Sequence, residues 1–145
     1  MKRAFVDANV ILRFLTGQPP EQAEQARRLF EAVEQGRTTL WVETIVVAEV
    51  VWVLESFYGF PKSQIARILQ GFLLHEGLRL PDKEGVLQAL ALYAQYNVDF
   101  ADALLSVRMQ RVGTPALISF DRDFDRLPGV QRFTPDAWQA TLASS

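Results

Sequence analysis

The side chains best placed to do chemistry here are carboxylates set among apolar neighbours. Glu49 lies inside the run Ile45, Val46, Val47, Ala48, Glu49, Val50, Val51, Trp52, Val53, Leu54. A helix that is apolar almost all round is expected to be buried, and burying an unpaired carboxylate costs several kcal/mol. A salt bridge, protonation or a metal ion would offset that cost; alternatively the helix is exposed at that one point. Asp7 closes a short apolar stretch and equally serves as a helix N-cap. Asp99 and Asp102 form Asp-x-x-Asp at a helix start, which reads as a capping box with Asp99 as the cap. Asp102 sits among Phe100, Ala101, Ala103, Leu104 and Leu105, so its carboxylate asks for a partner. Asp121 follows Ala116, Leu117, Ile118, Ser119 and Phe120, and with Asp123 and Asp125 it also suits a turn or cap.

Taken singly, three of these acids pass as caps. Gathered on one point they would repel, at about 4 kcal/mol per pair for a separation of about 4 Å and an effective dielectric of about 20. A hard divalent cation removes that repulsion, and an all-oxygen donor set favours Mg²⁺ or Mn²⁺. The chain has no Cys and a single histidine, His75, which argues against zinc and excludes disulfides and thiol nucleophiles.

The elements that must position these acids follow from periodicity and punctuation. Strands are predicted over residues 3–6 (buried), 39–42, 78–80, 116–120 and 130–133. Helices are predicted over 8–15, 21–35, 44–58 with Thr44 as N-cap, 61–74, 82–96 and 100–111, with a short one opened by Pro135. Strands alternating with helices imply an α/β fold with a central, mainly parallel sheet covered by helices. Ligands of such sheets bind beyond the carboxyl ends of the strands, where Asp7 and Asp121 fall.

At 145 residues the chain fits one domain spanning 1–145. Hydrophobic residues make up 49% and charged residues 22%, which is ordinary for a soluble globular protein. Glu49 interrupts the most apolar run well short of a membrane span. Asp7, Asn9 and Arg13 break the apolar core a signal peptide requires, so the expectation is a cytoplasmic protein. A net charge of −2 does not advertise a nucleic-acid partner in bulk. Twelve of the fifteen basic residues are nevertheless Arg, the better fork for phosphate. Arg13, Arg122 and Arg126 lie near the acids in sequence and are available for phosphates, unless Arg122 and Arg126 pair with Asp123 and Asp125.

The four acidic segments, in order, resemble those of PIN domains. Phe5-Val6-Asp7-Ala8-Asn9-Val10-Ile11-Leu12 resembles the family's opening, and Val47-Ala48-Glu49-Val50-Val51-Trp52-Val53-Leu54 its internal acidic helix. Asp99-Phe100-Ala101-Asp102-Ala103-Leu104-Leu105 and Ser119-Phe120-Asp121-Arg122-Asp123-Phe124 resemble the third and fourth acidic motifs. The subgroup they look most like is the VapC-type toxins of prokaryotic toxin–antitoxin pairs. The resemblance implies a three-layer α/β/α sandwich around the central, mainly parallel sheet, Mg²⁺- or Mn²⁺-dependent RNA cleavage, a homodimer and an antitoxin partner. It also implies that Asp7, Glu49, Asp102 and Asp121 form the acidic site, with Asp7 and Asp102 as direct metal ligands. Asn9, Thr44 and Ser119 match supporting polar positions, and Asp99 and Asp123 are additional acids.

Other classes fit less well. A phosphatase of the haloacid-dehalogenase type resembles a strand ending Asp-x-Asp, and Asn9 stands in the second position here. A response-regulator receiver wants a Lys after the late strand, and the three lysines are Lys2, Lys62 and Lys83. A PIN-like RNA- or protein-binding module without catalysis is an alternative that the intact set of four acids argues against, whereas a DNA nuclease is one that the sequence does not separate from a ribonuclease.

Overall fold

The computed structural model describes residues 2–143. The chain divides into two compact units, Met1–Leu87 and Gln88–Ser145.

In the first unit three parallel strands, β1 (Lys2–Phe5), β2 (Thr38–Trp41) and β3 (Leu78–Arg79), pair in that order. Lys2 is opposite Thr38 and Phe5 opposite Trp41, while Leu40 is opposite Leu78. The connections are helical: α1 (Ala8–Thr16) and α2 (Pro20–Glu34) join β1 to β2, and α3 (Thr44–Ser56) and α4 (Lys62–Leu73) join β2 to β3. Parallel strands require such crossovers. Asp7 caps α1, and Gly17 ends it with φ of 73°, a left-handed conformation that glycine adopts without penalty. Pro20 opens α2 at a first helical position, where its missing N–H costs nothing. Helix α1 packs on α2 and α3, α2 lies against β2, and α3 lies against α4. The core between them includes Ile11, Leu40, Val42, Val50, Leu54, Ile65 and Leu69.

Gly77 has a packing role. A Cβ built there would stand 2.5 Å from Val33 Cγ1 and 3.3 Å from the Val33 carbonyl oxygen, and Val33 is buried in α2. Gly77 also accepts the Leu40 N–H at 2.8 Å, so its backbone has little room to retreat. Gly77→Ala is therefore expected to destabilise by about 1–3 kcal/mol, the usual range for overpacking. Urea denaturation checks this, and a midpoint at or above wild type would show that α2 yields freely.

Helix α5 (Lys83–Tyr96) runs from the first unit into the second. The second unit continues with α6 (Phe100–Val112), β4 (Ala116–Ile118), a 3-10 turn (Arg122–Arg126), β5 (Gln131–Phe133) and α7 (Pro135–Leu142). Strands β4 and β5 pair in parallel, with Leu117 opposite Arg132. Tyr93 is fully buried and meets Phe100 edge-on at 6.1 Å, fixing α5 against the start of α6. Gly113 closes α6 with φ of 73°.

The observed order of strands and helices is the expected one, every strand pair is parallel, and the fold is α/β with parallel sheet flanked by helices. Two expectations are corrected. The first strand is not buried: Lys2 through Phe5 are exposed, with Phe5 at 69%, because β1 is the edge of its sheet and pairs only with β2 among the described residues. Thr44 is not the N-cap of α3; Glu43 occupies that position and Thr44 begins the helix. Among the described residues, no helix is long and apolar enough to cross a membrane.

Candidate active site

Asp7 stands where β1 gives way to α1, in extended backbone, and its Oδ1 accepts the Val10 N–H at 3.2 Å. The cap uses one lone pair of a carboxylate that offers about four acceptor sites. Asp7 is exposed, so the remaining sites face solvent. Asn9, also exposed, is two residues into α1 and lines a shallow hollow with Arg13 and Gln22 of α2. Arg13 donates through Nε to Gln22 Oε1 at 2.8 Å, which ties that guanidinium to α2.

Glu49 is in the middle of α3, and its predicted burial is corrected by the structure. The helix buries Val47, Val50, Val51 and Leu54 on one side and leaves Ile45 78% and Trp52 65% exposed on the other. Glu49 is exposed with them and accepts no hydrogen bond or ion pair among the described residues. The run is apolar all round in composition but covered on one side only, so the carboxylate incurs no burial cost and needs no compensating cation for that reason. Thr44, at the first turn of the same helix, is half-buried.

In the second unit, Asp99 holds the N-cap position of α6 with φ of −65° and ψ of 149°. Its side chain makes no capping hydrogen bond, so Asp99 does not supply its half of the expected capping box. Asp102 is half-buried in the first turn of α6. Asp121 follows β4 and caps the 3-10 turn, accepting the Asp123 N–H at 2.9 Å through Oδ1. Ser119 steadies the same loop: its Oγ accepts the Asp121 N–H at 3.0 Å.

Asp7, Asp99, Asp102 and Asp121 thus all lie at or within one turn of a helical N-terminus. The unsatisfied N–H groups and the dipole there favour negative charge, which eases the placement of these acids. Among the described residues, no group of three or more His, Asp or Glu side chains stands together in an arrangement that would hold a metal ion.

The nearby arginines sort themselves by partner. Arg126 pairs with Asp123 at 3.5 Å and donates to the Asn97 carbonyl at 2.7 Å. Asp125 is taken by Arg132, through Nε at 3.0 Å, and Arg132 also donates to the Ser119 carbonyl at 3.0 Å. Arg132, which the sequence does not single out, ties the end of β4 to Asp125; its one local signal is an arginine in the middle of the short last strand. Arg122 is exposed and forms no ion pair among the described residues.

Comparison with known proteins decides the family. The PIN domain family matches residues 4–130, which include all four acidic segments. The chain belongs to the PIN-domain family. This PIN domain is also 30% identical over 122 residues to a VapC ribonuclease of Aquifex aeolicus (strain VF5), covering 84% of the present chain and 90% of that protein. In this PIN domain the four acids singled out by the sequence resemblance are one strand-end cap (Asp7), one exposed mid-helix acid (Glu49), one half-buried first-turn acid (Asp102) and one post-strand cap (Asp121).

Proposed function

We propose that this PIN domain is a divalent-metal-dependent endoribonuclease, the toxin of a toxin–antitoxin pair, with Asp7, Glu49, Asp102 and Asp121 as its acidic site. The observation that carries this reading is the similarity to a VapC ribonuclease across nearly the whole length of that protein. The donor chemistry fits a hard cation. All four groups are carboxylates, and three of them are exposed, with lone pairs beyond any used in capping.

Asp7 and Asp102, with Glu49 and Asp121 supporting, would hold Mg²⁺ or Mn²⁺, which when bound would lower the pKa of a water and offer positive charge to the phosphate oxygens. The chain's own part is positioning and proton transfer. Glu49, exposed and without a hydrogen-bond partner among the described residues, accepts the proton of the attacking water. The Asp7 cap fixes that carboxylate at the end of β1, and Ser119 fixes the loop that carries Asp121. Asn9 and Thr44 support the site from the first turns of α1 and α3, and Asp99 adds negative charge at the start of α6. No protein nucleophile is required.

The likeness to VapC also supports a homodimer, a cognate antitoxin and a cytoplasmic location. The deciding experiment is digestion of RNA and of single-stranded DNA with Mg²⁺, with Mn²⁺ and with chelator. Cleavage of RNA is expected with either metal and should vanish in chelator. Undiminished cleavage in chelator defeats the metal scheme, and cleavage of DNA alone replaces the substrate.

A further inference from the structure

Phe120 lies just past the end of β4, between Ser119 and Asp121, and is 79% exposed. A single exposed apolar residue is common and argues nothing alone. Here three neighbouring features add to it. The loop is pinned on both sides of the ring: the Ser119 N–H donates to the Phe133 carbonyl at 2.9 Å, Arg132 donates to the Ser119 carbonyl, and the Asp121 N–H donates to Ser119 Oγ. The next residue, Asp121, belongs to the proposed acidic site. Arg122 after it carries a guanidinium with no ion pair among the described residues, while Arg126 and Arg132 are both engaged.

An exposed ring, an acid and a guanidinium without an ion pair among the described residues therefore follow one another on a held loop. A phenyl ring accepts the face of any base, and a guanidinium accepts a phosphate, which together suit a single strand. A base inside a duplex has its faces covered by its neighbours and is not available to the ring. We propose that Phe120 is a stacking platform for an unpaired base beside the scissile phosphate and that Arg122 holds a backbone phosphate. This rests on the ribonuclease reading above and adds a specificity-determining residue to it.

The test is fluorescence anisotropy of labelled 12-nucleotide single-stranded RNA, in buffer with Ca²⁺ in place of Mg²⁺, against wild type, Phe120→Ala, Phe120→Leu, Phe120→Trp and Arg122→Gln. Thermal melts run alongside should be unchanged, because both side chains are exposed. Phe120→Ala and Phe120→Leu are expected to weaken binding about 10-fold, and Phe120→Trp to retain it. Arg122→Gln is expected to lower the slope of log affinity against log salt by about 0.7. An abasic site moved along the oligomer should abolish the Phe120→Ala deficit at one position, and a duplex of the same sequence should show no deficit at all.

Equal binding by wild type and Phe120→Ala overturns the proposal, as does failure of wild type to bind the single strand. If Phe120→Ala instead changes the oligomeric mass while RNA binding stays constant, the ring faces protein and the proposal also falls. Cleavage measured in parallel with Mn²⁺ keeps the two readings apart. Wild-type cleavage without a Phe120 effect removes only the platform, whereas its absence removes the ribonuclease.

Discussion

Asp7→Asn is expected to lose RNA cleavage by about 100-fold or more, corresponding to roughly 3 kcal/mol of lost transition-state stabilisation, while keeping the wild-type fold. The separation of the two effects follows from the double duty of this carboxylate. One oxygen caps α1 through Val10 N–H, and Asn caps a helix about as well as Asp. What Asn lacks is the charge and basicity that a hard cation requires. Asp7→Ala removes both functions and is expected to cost about 1 kcal/mol of stability as well, or roughly 3 °C in melting temperature for a domain of this size. The measurement is cleavage rate beside melting temperature for the three proteins, each melted with and without Mn²⁺. A metal held by the native state raises its melting temperature by mass action, so wild type should gain with Mn²⁺ and Asp7→Asn should gain less. An Asp7→Asn protein that cleaves at the wild-type rate would remove Asp7 from the chemistry and leave it as a cap.

Leu54→Ala should produce the largest loss of stability, about 2–5 kcal/mol, through lost burial and the cavity left behind. Leu54 is fully buried in α3, the helix that carries Glu49 and packs on α1 and α4. Against a total stability of about 5–15 kcal/mol, a loss of this size moves the urea midpoint sharply. Trp52, two residues earlier on the same helix and 65% exposed, is the contrasting case, and Trp52→Ala should change stability by no more than about 0.5 kcal/mol. The pair tests whether α3 is covered on one side only. Comparable losses for the two variants would mean that the Trp52 face is packed in solution.

Much of this protein is local in origin and therefore legible in its sequence. Apolar spacing and punctuation by Gly17, Pro20 and Gly113 gave the right order of strands and helices, because caps and turns depend on residues within a few positions of each other. The 3-10 turn at Arg122–Arg126 escaped, since Asp at every second position carries no helical periodicity. The four acids stand in an order that carries the family resemblance, and the family match spans all of them.

What required tertiary structure was coverage and partnership. The residues of α3 from 45 to 54 read as buried on every side, yet Glu49, Ile45 and Trp52 face outward, because composition does not say how many neighbours a helix has. The apolar run before Asp7 became an exposed edge strand for the same reason: pairing on one side or two is decided by strands far away in the chain. Asp99 reads as a cap, like Asp7 and Asp121, but makes no capping bond while those two do, a difference of side-chain orientation that residue type does not encode. Arg132 reaches Asp125, seven residues away, and Arg126 takes Asp123, leaving Arg122 as the guanidinium of this loop without an ion pair among the described residues. Charge placement along a chain fixes which ion pairs are available, and the folded backbone brings only some of them within 4 Å.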